Sequence, residues 1–474
     1  MKSQKKFWFH IVIGPLLMLA CMYVLPVSLF DTFQSRAAIG CVAWMAYWWV
    51  LGPVDYAVTA LLPIALNAIF NIVPMTSVIS NYASETILLL LGASILTVSW
   101  EISGLDKRIA ASFLELLGTS LTSHIIFWFL FTTILSAVIP NAVVCATITP
   151  IAVSMLKYTG IKNMGESETG SLILVAIAWG AGMGGLATPL GGAMNLVVVD
   201  YIQELTGKEY MYSDWAIRFL PIMAVLILSN IIYLLIVKPK GVVLSGSKEY
   251  FKAMKKEMGK MSNQELLCLI LFVTATGLSF FRNLYSELLP GLKPAYVFLS
   301  CGIISFLIKG KGTKERLLSW NVVQKKVVWS LIYIFAGGLA AGALLTGSGA
   351  DACIGNFVSG LGLNGGYLTI LVILTVTIIL SDMTSNTATA AVAIPIVISI
   401  MNGIGKNPLP YVFVATIGVN LSYTLPTSVR SVPVGYGMKP SFMFKKGLVL
   451  TVIVILAMSA VSYALMNAGW FDLA

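Results

Sequence analysis

Long apolar runs separated by short polar loops dominate the chain, and their length predicts membrane-crossing helices. Spans are predicted near 7–30, 36–52, 54–73 and 84–101, followed by an apolar pair at 124–157 broken at Pro140-Asn141. Next come 170–200, interrupted by a glycine-rich stretch, and 214–237. After a basic loop lie 264–282, 294–308 and 326–347, a second broken pair at 366–402, an interrupted span at 409–437 and a last span at 442–467. Trp8–Phe30, Trp215–Val237 and Leu448–Met466 approach or exceed the ~20 apolar residues that a ~30 Å hydrocarbon core requires. Trp8–Phe30 follows Lys2, Lys5 and Lys6 as a secretory signal would, but it is too long and no small-residue cleavage site precedes the next span. It is read as a retained helix.

If each broken pair enters and leaves on one side, eleven helices cross. With a cytoplasmic N-terminus, the loops holding Lys248, Lys252, Lys255, Lys256 and Lys260, then Lys309, Lys311, Lys314 and Arg316, then Lys439, Lys445 and Lys446, all fall inside. The acidic 201–213 loop and the C-terminus fall outside. That matches the positive-inside bias. It also accounts for the net charge of +10 without a nucleic-acid partner. Divided by these elements, 1–123 holds first-half scaffold helices, 124–237 the first hairpin, interrupted helix and exit helix, and 238–263 a basic cytoplasmic loop. Residues 264–365 hold second-half scaffold helices, and 366–474 the second hairpin, interrupted helix and last helix.

The halves repeat. Gly92, Gly104, Asp106, Asn141 and Pro150 recur as Gly337, Gly349, Asp351, Asn386 and Pro395, each 245 positions later (for example 386 − 141). An odd number of crossings, five, separates the broken pairs, so the halves have opposite orientations, the pattern of secondary transporters with midplane binding sites. Helices break in lipid only where protein or a watery cavity replaces the lost bonds. The breaks fall at Pro140-Asn141, Gly180–Gly192, Thr384–Thr387 and Pro426–Gly437. Half-helix N-termini there offer free N–H groups and positive dipole ends to an anion. Two facing tips suit a substrate with two carboxylates.

Composition agrees: 58% of residues are hydrophobic and 11% charged, and the mean hydropathy is +0.89. Cys21, Cys41, Cys145, Cys268, Cys301 and Cys353 show no CxxC spacing, and His10 and His124 are the two histidines. No metal cluster or Cys/His nucleophile follows. Asp55, Glu85, Glu101, Asp200 and Asp382 have no paired-catalytic or HExxH spacing, and no phosphate-binding loop is present, so neither an enzyme nor an ATP-driven pump is indicated.

Ser385-Asn386-Thr387-Ala388-Thr389-Ala390, with Asp382 just before it, resembles the Ser-Asn-Thr hairpin motif of the divalent anion–sodium symporter family. Gly184-Gly185-Leu186-Ala187-Thr188 through Asn195, then Asp214-Trp215 and Pro221, resemble that family's first interrupted helix and its exit. Gly437-Met438-Lys439 and Lys445–Leu448 resemble the region after the second. The likeness runs in order along the whole chain. It implies an all-α polytopic protein of about eleven spans plus two re-entrant hairpins, homodimers, a fixed scaffold and a transport domain that moves like an elevator. The implied substrates are succinate, malate, fumarate, oxoglutarate, citrate or sulfate. The implied setting is the plasma membrane.

The family carries Ser-Asn-Thr at both tips, which help build two sodium sites. Here the first tip reads Pro140-Asn141-Ala142, and the interrupted helices read Gly192-Ala193-Met194-Asn195 and Thr427-Ser428-Val429-Arg430 where the family has Thr-Pro-Pro-Asn. Asn141, Ala142, Thr188, Ser385, Asn386, Thr387, Thr427 and Arg430 are therefore expected to bind substrate, with Asp382, Gly191 and Asn195 as cation or charge partners. The missing hydroxyls weigh against sodium at the first tip, and Arg430 places a fixed cation at membrane depth. The expectation is a sodium-independent di/tricarboxylate exchanger without cofactor; the alternative is a sodium-coupled symporter of the same anions.

Overall fold

The structure is a computed structural model describing residues 2–28, 30–114, 118–310, 316–350, 352–354 and 363–472. Asp351 of the repeat and Lys311 and Lys314 of a basic loop lie outside these. The described residues form helices throughout, with two isolated bridges, Ser120 to Val243 and Lys309 to Arg316, in place of strands. Among them nine helical stretches are long and apolar enough to cross a membrane. Shorter apolar helices, Leu121–Ser136, Tyr367–Met383 and Leu409–Asn420 among them, supply hairpin arms and interrupted elements. In lipid a helix is the form that satisfies all its backbone groups within itself. The chain is an integral membrane protein.

The first hairpin is Leu121–Ser136 returning as Asn141–Tyr158, and the second is Tyr367–Met383 returning as Asn386–Gly403. The first interrupted helix runs Glu168–Gly184, breaks, and resumes as Ala193–Thr206. The second runs Leu409–Asn420 but resumes only as the five-residue turn Ser431–Gly435, so the predicted 409–437 element is far less even than its partner. Another predicted span is also divided. Residues 54–73 split into Tyr56–Thr59 and Leu62–Phe70, because Pro63 has no N–H to continue the ladder. Trp320–Lys326 stands apart from Trp329–Gly347.

The repeat extends to hydrogen bonds. Pro150 and Pro395 both lie inside returning hairpin helices. Those helices end alike: Ile161 N–H donates to Leu156 O and Lys406 N–H to Met401 O, both at 2.9 Å, across left-handed Gly160 and Gly405 (φ +95° and +66°). A left-handed residue is what such a six-to-one helix cap requires, and glycine adopts it without a Cβ penalty. Each hairpin packs on its interrupted helix through the same two contacts. Gly180 closes on Thr132, and Gly418 on Thr377, 245 residues after Thr132. Ser136 Oγ donates to Ala181 O at 2.6 Å and Ser381 Oγ to Val419 O at 2.8 Å.

Candidate functional site

The two hairpin tips meet at one cavity of about 300 Å3. Pro140, Asn141 and Ala142 line it from the first tip, and Ser385, Asn386 and Thr387 from the second. Its remaining walls are mostly apolar: Leu89, Leu90 and Ala93 from Glu85–Ser103, Val328, Leu331 and Ile334 around the start of Trp329–Gly347, and Met194 beside the first break. Ser94 and Ser330 add hydroxyls. A returning helix starts at each tip, at Asn141 and at Asn386. The first N–H groups of a helix have no intrahelical acceptor. Ser385 caps its helix by accepting from Ala388 N–H at 3.1 Å, and the N–H groups of Asn386 and Thr387 ahead of it have no intrahelical acceptor. Two amide side chains, two helix N-termini and an apolar belt can hold an elongated anion with polar ends and a greasy middle.

Five expected site residues, Asn141, Ala142, Ser385, Asn386 and Thr387, thus share this cavity. Thr188, Thr427 and Arg430 stand away from its lining. The two threonines are the same device in the two halves: Thr188 Oγ1 donates to Ala137 O, and Thr427 Oγ1 to Asp382 O at 2.9 Å, where 382 is again 245 beyond 137. Each sews a helix break to the outgoing arm of its hairpin.

Arg430 and Gly191 also correspond. Gly191 N–H donates to Thr188 O at 3.2 Å, and Arg430 N–H to Thr427 O at 3.1 Å. In the first half a Cβ on Gly191 would fall against Ser136 O and Gly185 O. In the second half the Arg430 side chain, 2% exposed, fills that direction. Its guanidinium donates to Leu425 O (2.9 Å), Ser422 O (3.1 Å), Ser381 O (3.4 Å) and Thr427 Oγ1 (2.6 Å). A buried cation needs such satisfaction, and the acceptors here are neutral oxygens. The expected pair with Asp382 is not direct. Asp382 Oδ1 accepts from Thr424 N–H at 3.0 Å, while Thr427 Oγ1 accepts from Arg430 and donates to the backbone carbonyl of Asp382. Sequence placed Arg430 among the groups that touch substrate; its fork is instead spent on the break it belongs to.

Asn195 Nδ2 donates to Gly185 O (2.6 Å) and Thr188 O (2.9 Å), closing the first break. Asn420, which sequence did not single out, donates to Asn195 Oδ1. Ser136 and Ser381 were also missed, although their shared offset of 245 was there to be read (381 − 136).

This is the architecture of a membrane transporter: broken helices and paired hairpins around a small enclosed site. Residues 46–418 match the citrate transporter family, and the chain belongs to it. The match bears out the likeness to divalent anion–sodium symporters. Among curated proteins, the chain is similar to the sodium-dependent dicarboxylate transporter SdcS of Staphylococcus saprophyticus. The two are 27% identical over 452 residues, covering 90% of this chain and 84% of that one. It is 28% identical to SdcS of Staphylococcus aureus over 447 residues, covering 90% and 85%. Two solved structures share the fold. They are the Alcanivorax borkumensis YdaH transporter (TM-score 0.53, 12% identity, 84% of this chain and 88% of that one) and Neisseria gonorrhoeae MtrF (TM-score 0.52, 15% identity, 94% and 96%).

Proposed function

We propose that this protein carries four- to six-carbon di- and tricarboxylates across the plasma membrane in symport with sodium. The observation that carries the reading is the convergence of Asn141 and Asn386, repeat-related and each at a helix N-terminus, on one enclosed cavity. Each tip takes one carboxylate, and the apolar belt covers the carbon chain. The chain's curated relatives are named as sodium-dependent dicarboxylate transporters, which favours sodium as the coupling ion. Ser136 O and Gly185 O, which flank the position a Cβ on Gly191 would take, are carbonyl oxygens of the kind a hard cation takes. Transport elements 124–237 and 366–474 would move as an elevator against scaffold helices 1–123 and 264–365 in a homodimer, with the basic loops and N-terminus cytoplasmic and the C-terminus outside.

Exchange without sodium is the second reading, and Arg430 favours it. A guanidinium held by three carbonyls and a hydroxyl is a cation the carrier cannot release. It stands in the second half at the position Gly191 holds in the first. The test is radiolabelled succinate uptake by the purified protein in liposomes, with outside sodium and inside dicarboxylate varied independently. Sodium-driven uptake into empty vesicles supports symport. Uptake confined to preloaded vesicles and indifferent to sodium supports exchange. No saturable uptake in any arm rejects the dicarboxylate reading.

A further inference from the structure

The basic loop between Tyr212–Val237 and Asn263–Phe280 folds into a surface helix, Ser247–Met258, whose two ends are fastened to different elements. Its leading end joins the start of the first hairpin. Ser120 pairs with Val243, and Leu244 N–H donates to Thr119 O at 2.8 Å. Buried Ser247 shares a 3.1 Å hydrogen bond with His124 Nε2. Buried Phe251 sets its ring edge-on to Trp128, and Tyr250 lies 5.5 Å from Tyr158, so both arms of the hairpin are gripped.

At the far end Arg108 makes a fastening of hydrogen bonds. Arg108 sits in Leu105–Leu114, the helix after Glu85–Ser103. It donates to the carbonyls of Met258 (3.0 Å), Gly259 (2.8 Å) and Lys260 (3.2 Å), and its Nε pairs with Glu265 at 2.8 Å. The last carbonyls of a helix lack intrahelical donors, and a cation there also meets the negative end of the dipole. The surface helix forms one wall of a cleft of about 720 Å3, lined by Tyr250, Met254 and Met258. Asp106 on one side and Thr147 and Ser154 of the hairpin on the other complete it.

We infer that Ser247–Met258 is a strap between the first hairpin and Leu105–Leu114, and that Arg108 is the positioning residue that holds the hairpin, and with it Asn141, where the cleft stands open. The inference rests on the transport reading, since a strap has work only if the hairpin moves. The hairpin end of the strap is sealed by buried side chains, whereas the Arg108 end is held by the hydrogen bonds of a partly buried guanidinium, those to Gly259 O and Lys260 O open to solvent. The Arg108 end is therefore the one that yields. Gly246 and Gly259, both left-handed (φ +89° and +59°), flank the strap and allow its ends to turn.

The test uses the full-length protein in liposomes, with Cys21 and Cys353 changed to Ser and Thr147→Cys as a reporter in the cleft. A membrane-impermeant thiol reagent reads the opening of the cleft without substrate, and succinate uptake reads turnover and half-saturation. Arg108→Ala should slow labelling at position 147 about fivefold or more, the size of a modest population shift. It should change turnover while leaving half-saturation within about twofold. Arg108→Lys should restore part of both, and Glu265→Gln, a milder change, should move both in the same direction. Unchanged labelling and turnover in Arg108→Ala would overturn the inference. So would equal losses in the Ala and Lys variants that track lost folded protein. A parent protein inert toward succinate would count against the transport reading alone, because the labelling arm needs no substrate.

Discussion

Asn195 Oδ1 accepts a hydrogen bond from Asn420 Nδ2 at 2.8 Å, and this bond ties the two interrupted helices together at their breaks. Asn420 ends Leu409–Asn420 just before the second break, and Asn195 opens Ala193–Thr206 just after the first. Both side chains are fully buried. Asn195→Ala takes the side-chain donor from Gly185 O and leaves Thr188 O with Gly191 N–H alone, and a buried carbonyl that loses its partner costs about 1–3 kcal/mol. Asn420→Ala breaks the cross-link and spares those two carbonyls. The melting temperature in detergent should therefore fall further for Asn195→Ala than for Asn420→Ala. The reverse order would mean that the bridge, rather than the closure of the first break, carries the stability.

Asn141→Ala and Asn386→Ala should each leave a folded protein with transport severely cut. A charge-assisted hydrogen bond to a carboxylate contributes roughly 1.5–3 kcal/mol, or about ten- to hundredfold in uptake at low substrate. Normal succinate uptake by both variants would remove the tips from the site. Thr188→Val is expected to act differently, by loosening the seam to Ala137, so its signature is lost thermal stability.

Arg430→Ala would leave the Ser381, Ser422 and Leu425 carbonyls buried without their donor. The variant should be less stable in choline chloride and should regain stability in sodium chloride, since sodium accepts a set of neutral oxygens that choline cannot enter. Melting curves in the two salts decide it. Equal destabilisation in both would show that the carbonyl set cannot hold a mobile cation.

Gly92→Ala should destabilise the packing of Glu85–Ser103 on Pro294–Ser305. A Cβ there would come within 2.5 Å of Leu299 N and 2.6 Å of Phe298 C, backbone that cannot step aside as a side chain can. Overpacking of this kind costs about 1–3 kcal/mol. Gly182→Ala, with nothing within 4 Å of the new methyl, is the control and should melt like the parent.

Hydropathy made the spans, the two hairpins and the breaks legible, because lipid admits few alternatives to a closed helix. The offset of 245 located both tips, and Asn141 and Asn386 share a cavity. What escaped depends on direction rather than position. The placing of Arg430 in an interrupted helix could be read from sequence, but its rotation toward Ser422 and Leu425 could not. Asn420 escaped because a single amide near the end of an apolar run carries no periodic signal. The length of the second interrupted helix was overestimated because Ser431–Gly435 sits in apolar sequence that has no further helix to join.

Arg430 and Asp382 are held to the same seam through Thr427, so any body that carries one across the membrane carries the other. Their charges cancel, and membrane voltage, which acts at about 2.3 kcal/mol per elementary charge per 100 mV, does no net work on that pair. The current of a reconstituted cycle would then count only substrate and mobile ions. Two sodium ions with a divalent anion would be silent, and a third would be read directly as one charge moved per turnover.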